Sequence, residues 1–290
     1  MLRFLFAFPA RLLALLITGS LTAGCGAVVS NVSAGVAEDL SVAILNQDDP
    51  ELVREALPAY LLLIDSFIEA DPENSVTLSS GSQLYAAYGA AFVDDAERAR
   101  TLTTRARDYG NRALCAADAA ACALRSLDFD GYTEAIRSIG QADVEPLFSY
   151  SLANLAWIRS NADDYAALAD LPKIEVALEH LMSLDPGPNA ASASMYLGIL
   201  KTLRPAALGG DPEAGKMWFE RGIELSDGQD LAIKVEYARG YARQIYDREL
   251  HDRLLNEVLS ADVEVTGLVL FNKLAREQAK QLLASADDYF

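Results

Sequence analysis

Apolar residues return along most of this chain at the three- and four-residue spacing of one helix face, and nowhere do apolar and polar positions alternate long enough for a strand. Val29, Val32, Val36, Leu40, Ala43 and Ile44 follow that spacing across 29–46. A helix over 50–70 is opened by Asp49-Pro50-Glu51, kinked at Pro58 and stopped by Asp71-Pro72. Residues 75–92, rich in Ser, Gly and Ala, read as a close-packing helix. Asp94-Asp95 then caps 96–114, with Arg98, Arg100, Arg105 and Arg107 expected on its outer side. A shorter helix over 127–139 precedes one over 144–160 that carries Phe148, Leu152, Leu155, Trp157 and Ile158. A polar connection over 161–171 leads to a helix over 172–184.

The next stretch shows the unit of the fold. Met195, Leu197, Ile199, Leu200 and Leu203 share one face of a helix that starts near Asn189 and cannot pass Pro205. Leu203-Arg204-Pro205-Ala206-Ala207-Leu208-Gly209-Gly210 then forms a hinge, in which Pro205 holds Arg204 extended and the glycines permit positive φ. Asp211 caps the following helix, with Pro212 in its first turn and Trp218, Phe219, Ile223 and Leu225 on its apolar face. Two such helices make a hairpin that must stack on a neighbour to cover its second face. The Asp-Pro stops at 71 and 185 are 114 residues apart, three units of about 38 residues. Helices over 231–246, 249–259 and 267–284 should cap the array. The expected fold is all-α, a tetratricopeptide-like hairpin array (α-solenoid) with capping C-terminal helices.

Composition adds the compartment. Residues 1–24 have the pattern of a signal peptide, with Arg3 and Arg11 as the only charges and a short apolar core at 12–17. Leu21-Thr22-Ala23-Gly24-Cys25 resembles the bacterial lipobox, so Cys25 is the expected lipidation site and 25–290 the expected single helical-repeat domain. The lipid would tie the chain to a membrane without crossing it. A net charge of −18 repels phosphate backbones and disfavours nucleic acid as a partner. Cys115 and Cys122 are expected to form a disulfide after export. On one continuous helix they would lie about 10 Å apart, so the bridge requires a turn between them.

Catalytic chemistry finds no foothold. Gly210-x-x-x-x-Gly215-Lys216 imitates a phosphate-binding loop, but Met217 stands where a hydroxyl is needed and no strand precedes it. His180 and His251 have no ligand-spaced companions, and no nucleophile-base order stands out. No metal, cofactor or enzymatic activity is expected. Arg204 has two readings: a guanidinium that caps the preceding helix, or a contact to a ligand carboxylate or a partner protein. The small-residue runs at 85–91 and 190–194 also have two: tight packing, or a hollow whose wall includes Tyr85, Tyr88, Trp157, Tyr196 and Trp218. Read alone, each of these aromatics suits a packed core.

LRPAALGGDPEAG at 203–215 and FERGIELS at 219–226, preceded by Leu184-Asp185-Pro186, resemble the TRAP transporter T-component family (TatT type). Arg54-Glu55-Ala56-Leu57-Pro58, Tyr88-Gly89-Ala90-Ala91-Phe92 and Ala169-Asp170-Leu171-Pro172 extend the resemblance over the mature chain. It implies a lipoprotein in the bacterial cell envelope, facing the periplasm and paired with the solute-binding (P) subunit of a TRAP transporter. It also implies a homotrimer and a hydrophobic channel for an apolar or amphiphilic ligand. Leu203, Arg204, Pro205, Leu208, Gly209 and Gly210 are then the leading partner- or ligand-binding candidates. The alternative is a tetratricopeptide-like adaptor lipoprotein of envelope assembly that grips peptides or protein tails.

Overall fold

Aspartate and asparagine side chains set the helix starts. In the computed structural model, which describes residues 39–290, helix α1 is described over 39–45. Asp49 accepts the N–H groups of Glu51 and Leu52 to start α2 (Pro50–Ala70), and Asn74 and Asp95 do the same for α3 (Ser75–Ala91) and α4 (Ala96–Ala117). A 3-10 arm (Ala119–Ser126) leads into α5 (Phe129–Ser138), α6 (Val144–Ser160), the short α7 (Tyr165–Leu168) and α8 (Leu171–Ser183). Then come α9 (Ala190–Thr202), α10 (Pro212–Leu225), α11 (Leu231–Tyr237), α12 (Arg248–Ser260), α13 (Val269–Ala284) and α14 (Ala286–Tyr289). No strand occurs among the described residues, so the chain is an all-α helical array. The leader, Cys25 and most of the 29–46 segment lie outside the described residues.

The elements differ from expectation in two places. The 161–171 connection contains α7, and α11 runs on through a π-turn at Ala238–Ala242, an inserted residue that spacing alone does not show. Pro58 sits inside a single helix, α2, as its expected span of 50–70 requires. Arg107 is not on the outer side of α4: its side chain is 15% exposed and lies against Trp157.

The helices stack as successive pairs. α3 packs on α4, α6 on α8 and α9 on α10, while α3 also touches α6, α6 touches α9 and α9 touches α11. α3, α6 and α9 are therefore inner helices, buried on several faces, and α4, α8 and α10 are outer, amphipathic ones. Three apolar clusters follow: Leu57, Ile64, Leu78 and Tyr109 at the front, Leu147, Leu155, Leu178 and Leu197 in the middle, and Phe219, Val235, Leu255 and Ala279 at the back. The capping helices do more than cover the last pair. Leu270 of α13 is buried in the front cluster, and the Gly267 N–H donates to Asn46 Oδ1 at 2.7 Å, so the C-terminal helices reach the first described ones.

Two consequences can be measured. A Cβ on Gly198 would fall 2.7 Å from the ring of Phe219, which is fully buried. Gly198→Ala should therefore lower the unfolding free energy by about 1–2 kcal/mol in urea titrations, overpacking outweighing the gain in helix propensity. Asp230, the cap of α11, is pushed up to about 6 by burial, offset in part by the Ala232 N–H it accepts. The folded chain thus holds a proton that the unfolded chain releases at lower pH, so this group costs stability as pH rises from about 4 to 6. Wild type should lose on the order of 2–3 kcal/mol relative to Asp230→Asn across that window, measured by urea unfolding at successive pH values.

Candidate functional site

The hinge between α9 and α10 is a defined turn. Pro205 (φ −60, ψ 155) opens a 3-10 turn at Ala206–Leu208, and Gly209 closes it at φ +84, a conformation that disfavours any residue with a Cβ. Pro205 O accepts the N–H groups of Leu208 and Gly210, and the Asp211 N–H donates back to Lys201 O at the end of α9. Gly210 packs so tightly that a Cβ there would lie 1.7 Å from Arg204 O. Asp211 then accepts the Ala214 N–H and starts α10. This capped, strand-free start leaves no phosphate-binding loop at Gly210–Lys216.

Arg204 is held in this turn without a partner. Its Nε is buried and unbonded, and among the described residues no acceptor takes a hydrogen bond from its guanidinium. Near the end of α9 the Leu200 and Lys201 carbonyls accept the Leu203 and Asp211 N–H groups rather than Arg204. Beside it, Leu208 is 67% exposed. A fixed turn thus presents an unspent cation next to an apolar side chain, the pairing that anchors protein contacts.

The five aromatic candidates do not line one wall. Tyr85 is buried in the front cluster, where its hydroxyl donates to Asp65 Oδ2 at 2.8 Å. The same carboxylate accepts Tyr109 Oη at 2.7 Å and Arg105 Nη1 at 2.9 Å, joining α2, α3 and α4. Burial, then Asp65, pushes the Tyr85 hydroxyl up. Tyr88 stacks on Phe92 in the same cluster. Trp157 lies under Arg107, 3.8 Å from guanidinium carbon to ring centroid. Tyr196 rests against Phe148 between the middle and back clusters, and Trp218 packs half-buried on the middle one. Their placement matches the packed-core reading of the small-residue runs.

α4 ends at Ala117, and Asp118 turns the chain so that the 3-10 arm carries Cys122 back beside Cys115. Their Cα atoms are 4.4 Å apart and the sulfurs are bonded. Sequence spacing did not show the Asp65 junction or the Arg107–Trp157 stack, because their members lie tens of residues apart. His180 bonds Ile139 O and His251 bonds Asp252, and among the described residues no cluster of metal-ligating groups forms.

A family model described as TRAP transporter T-component matches residues 46–290. No curated protein matches the chain. If Arg204 is free for a partner, Arg204→Ala should leave stability within about 0.5 kcal/mol of wild type. A loss of about 1 kcal/mol or more in urea unfolding would instead mark the guanidinium as a cap.

Proposed function

We propose, from the premise that this chain belongs to the TRAP transporter T-component family, that it docks the transporter's solute-receptor subunit on the α9–α10 hinge. Family membership makes the chain an accessory component of a TRAP transporter, placed in the cell envelope, and no described helix is long and apolar enough to cross a membrane. The observation that carries the docking reading is Arg204, an unpaired guanidinium fixed by Pro205, Gly209 and Gly210 beside exposed Leu208. Arg204 is half-buried, with its Nε shut off from solvent and unbonded, and a carboxylate on the receptor would give the guanidinium a counter-charge.

The array acts here by non-covalent recognition. A lipid on Cys25 would hold it at the membrane surface facing the periplasm, where a soluble receptor meets it. An apolar ligand route through a single chain draws no support from Tyr85, Tyr88, Trp157, Tyr196 and Trp218, which are spread over separate packed regions.

Biolayer interferometry with the receptor subunit of the same transporter tests the proposal. Wild type should bind, and Arg204→Ala and Leu208→Glu should each weaken binding about tenfold or more, equivalent to about 1.4 kcal/mol, at unchanged melting temperature. Unchanged affinity in both variants would move the docking surface elsewhere. In cells, Cys25→Ala should abolish incorporation of labelled palmitate into the chain and release it from the membrane fraction.

A further inference from the structure

A cleft of about 280 Å³ opens where α4, α6, α8 and the 3-10 arm meet, lined by Arg107, Arg125 and Lys173 against a single carboxylate, Asp170. Three cations around one acid stand out in a chain whose net charge is −18. Asp170 is already engaged: it accepts Arg107 Nη2 at 2.7 Å. Its side chain takes none of the first-turn N–H groups of α8.

The remaining donors are held in place but not used up. Arg107 Nε donates to Asn154 Oδ1 at 2.8 Å and the guanidinium lies flat on Trp157, which fixes its plane. Its Nη1 edge has no partner among the described residues. Arg125 is exposed and, among the described residues, has neither a hydrogen bond nor an ion pair, although it sits on the arm that the Cys115–Cys122 disulfide ties down. Lys173 Nζ spends one proton on Leu127 O at 3.1 Å. The Tyr132 and Tyr150 hydroxyls meet at 3.2 Å, a contact that uses one of their two protons. Burial pushes Tyr150 up to about 12 and Tyr132 in the same direction, so both keep their protons at neutral pH. Donors exceed acceptors, and the cleft is small.

The geometry points to a binding site for a small oxyanion, a carboxylate or phosphate group on a molecule of few heavy atoms, clamped between Arg125 and the free edge of Arg107. Lys173 and one tyrosine hydroxyl complete the donor set, and the planar guanidinium of Arg107 suits bidentate recognition. A purely bracing network explains Arg107, Asn154 and Asp170, which bond one another. It does not explain Arg125, which bonds nothing among the described residues. The site is separate from the hinge and does not depend on receptor docking.

Isothermal titration of the full chain at low ionic strength, with inorganic phosphate in one arm and succinate in the other against a chloride control, tests it. Saturable binding of at least one probe is expected, weakened by added salt, and the probe preferred assigns the group as phosphate or carboxylate. Arg125→Ala should weaken that binding about fivefold or more with no change in the melting temperature of the unliganded chain, because the side chain supports no other contact. Arg137→Ala, an exposed arginine that does not line the cleft, should bind as wild type does. No saturable binding of either probe up to about 10 mM, where even a weak site fills, would overturn the proposal. So would an Arg125→Ala chain that binds as tightly as wild type.

Discussion

Helix backbones in this chain meet at distances that only small side chains allow, and the architecture follows from that contact. A Cβ on Gly110 of α4 would lie 3.2 Å from the Tyr150 Cα of α6, and one on Gly215 of α10 would lie 2.5 Å from Thr202 of α9. Ser82 of α3 closes the same seam by donating to Ala106 O at 3.0 Å. Close approach lets the inner helices bury almost every face, so their sequences lack an amphipathic stripe. The outer helices keep the stripe and carry the charges. Alternation between these two kinds of helix lets successive helix pairs pack on one another around three apolar clusters.

Much of this was legible in the residues. Asp49, Asp95 and Asp211 announce helix starts, the Asp-Pro pairs announce stops, and a reach argument alone required the turn that brings Cys115 to Cys122. What could not be read is what depends on neighbours far along the chain. Arg107 shares its helix with Arg98, Arg100 and Arg105, and helical spacing says nothing of Trp157 arriving from α6 to draw it inward. The π-turn in the 231–246 helix leaves no compositional mark, and the contact of α13 with the front cluster joins residues more than two hundred positions apart.

The same division holds for the candidate sites. The hinge is local, so its proline, its glycines and the direction they impose on Arg204 were visible in a single string. That Arg204 finds no partner among the described residues is a property of everything around it, and no single string shows it. The cationic cleft was invisible for the opposite reason: its donors come from α4, the 3-10 arm, α5, α6 and α8, which only the fold brings together. Trp157, read from sequence as a wall candidate better suited to a packed core, also supplies the flat surface on which a guanidinium rests.

The hydrogen bond from Gly267 to Asn46, with Leu270 seated behind it, works as a clasp between the two ends of the array. An open spiral of hairpins can lengthen by one more pair, or flex like a spring, without disturbing what came before. An array whose C-terminal helices are hooked to its first described ones holds a fixed number of pairs, so an inserted pair would have to undo the hook.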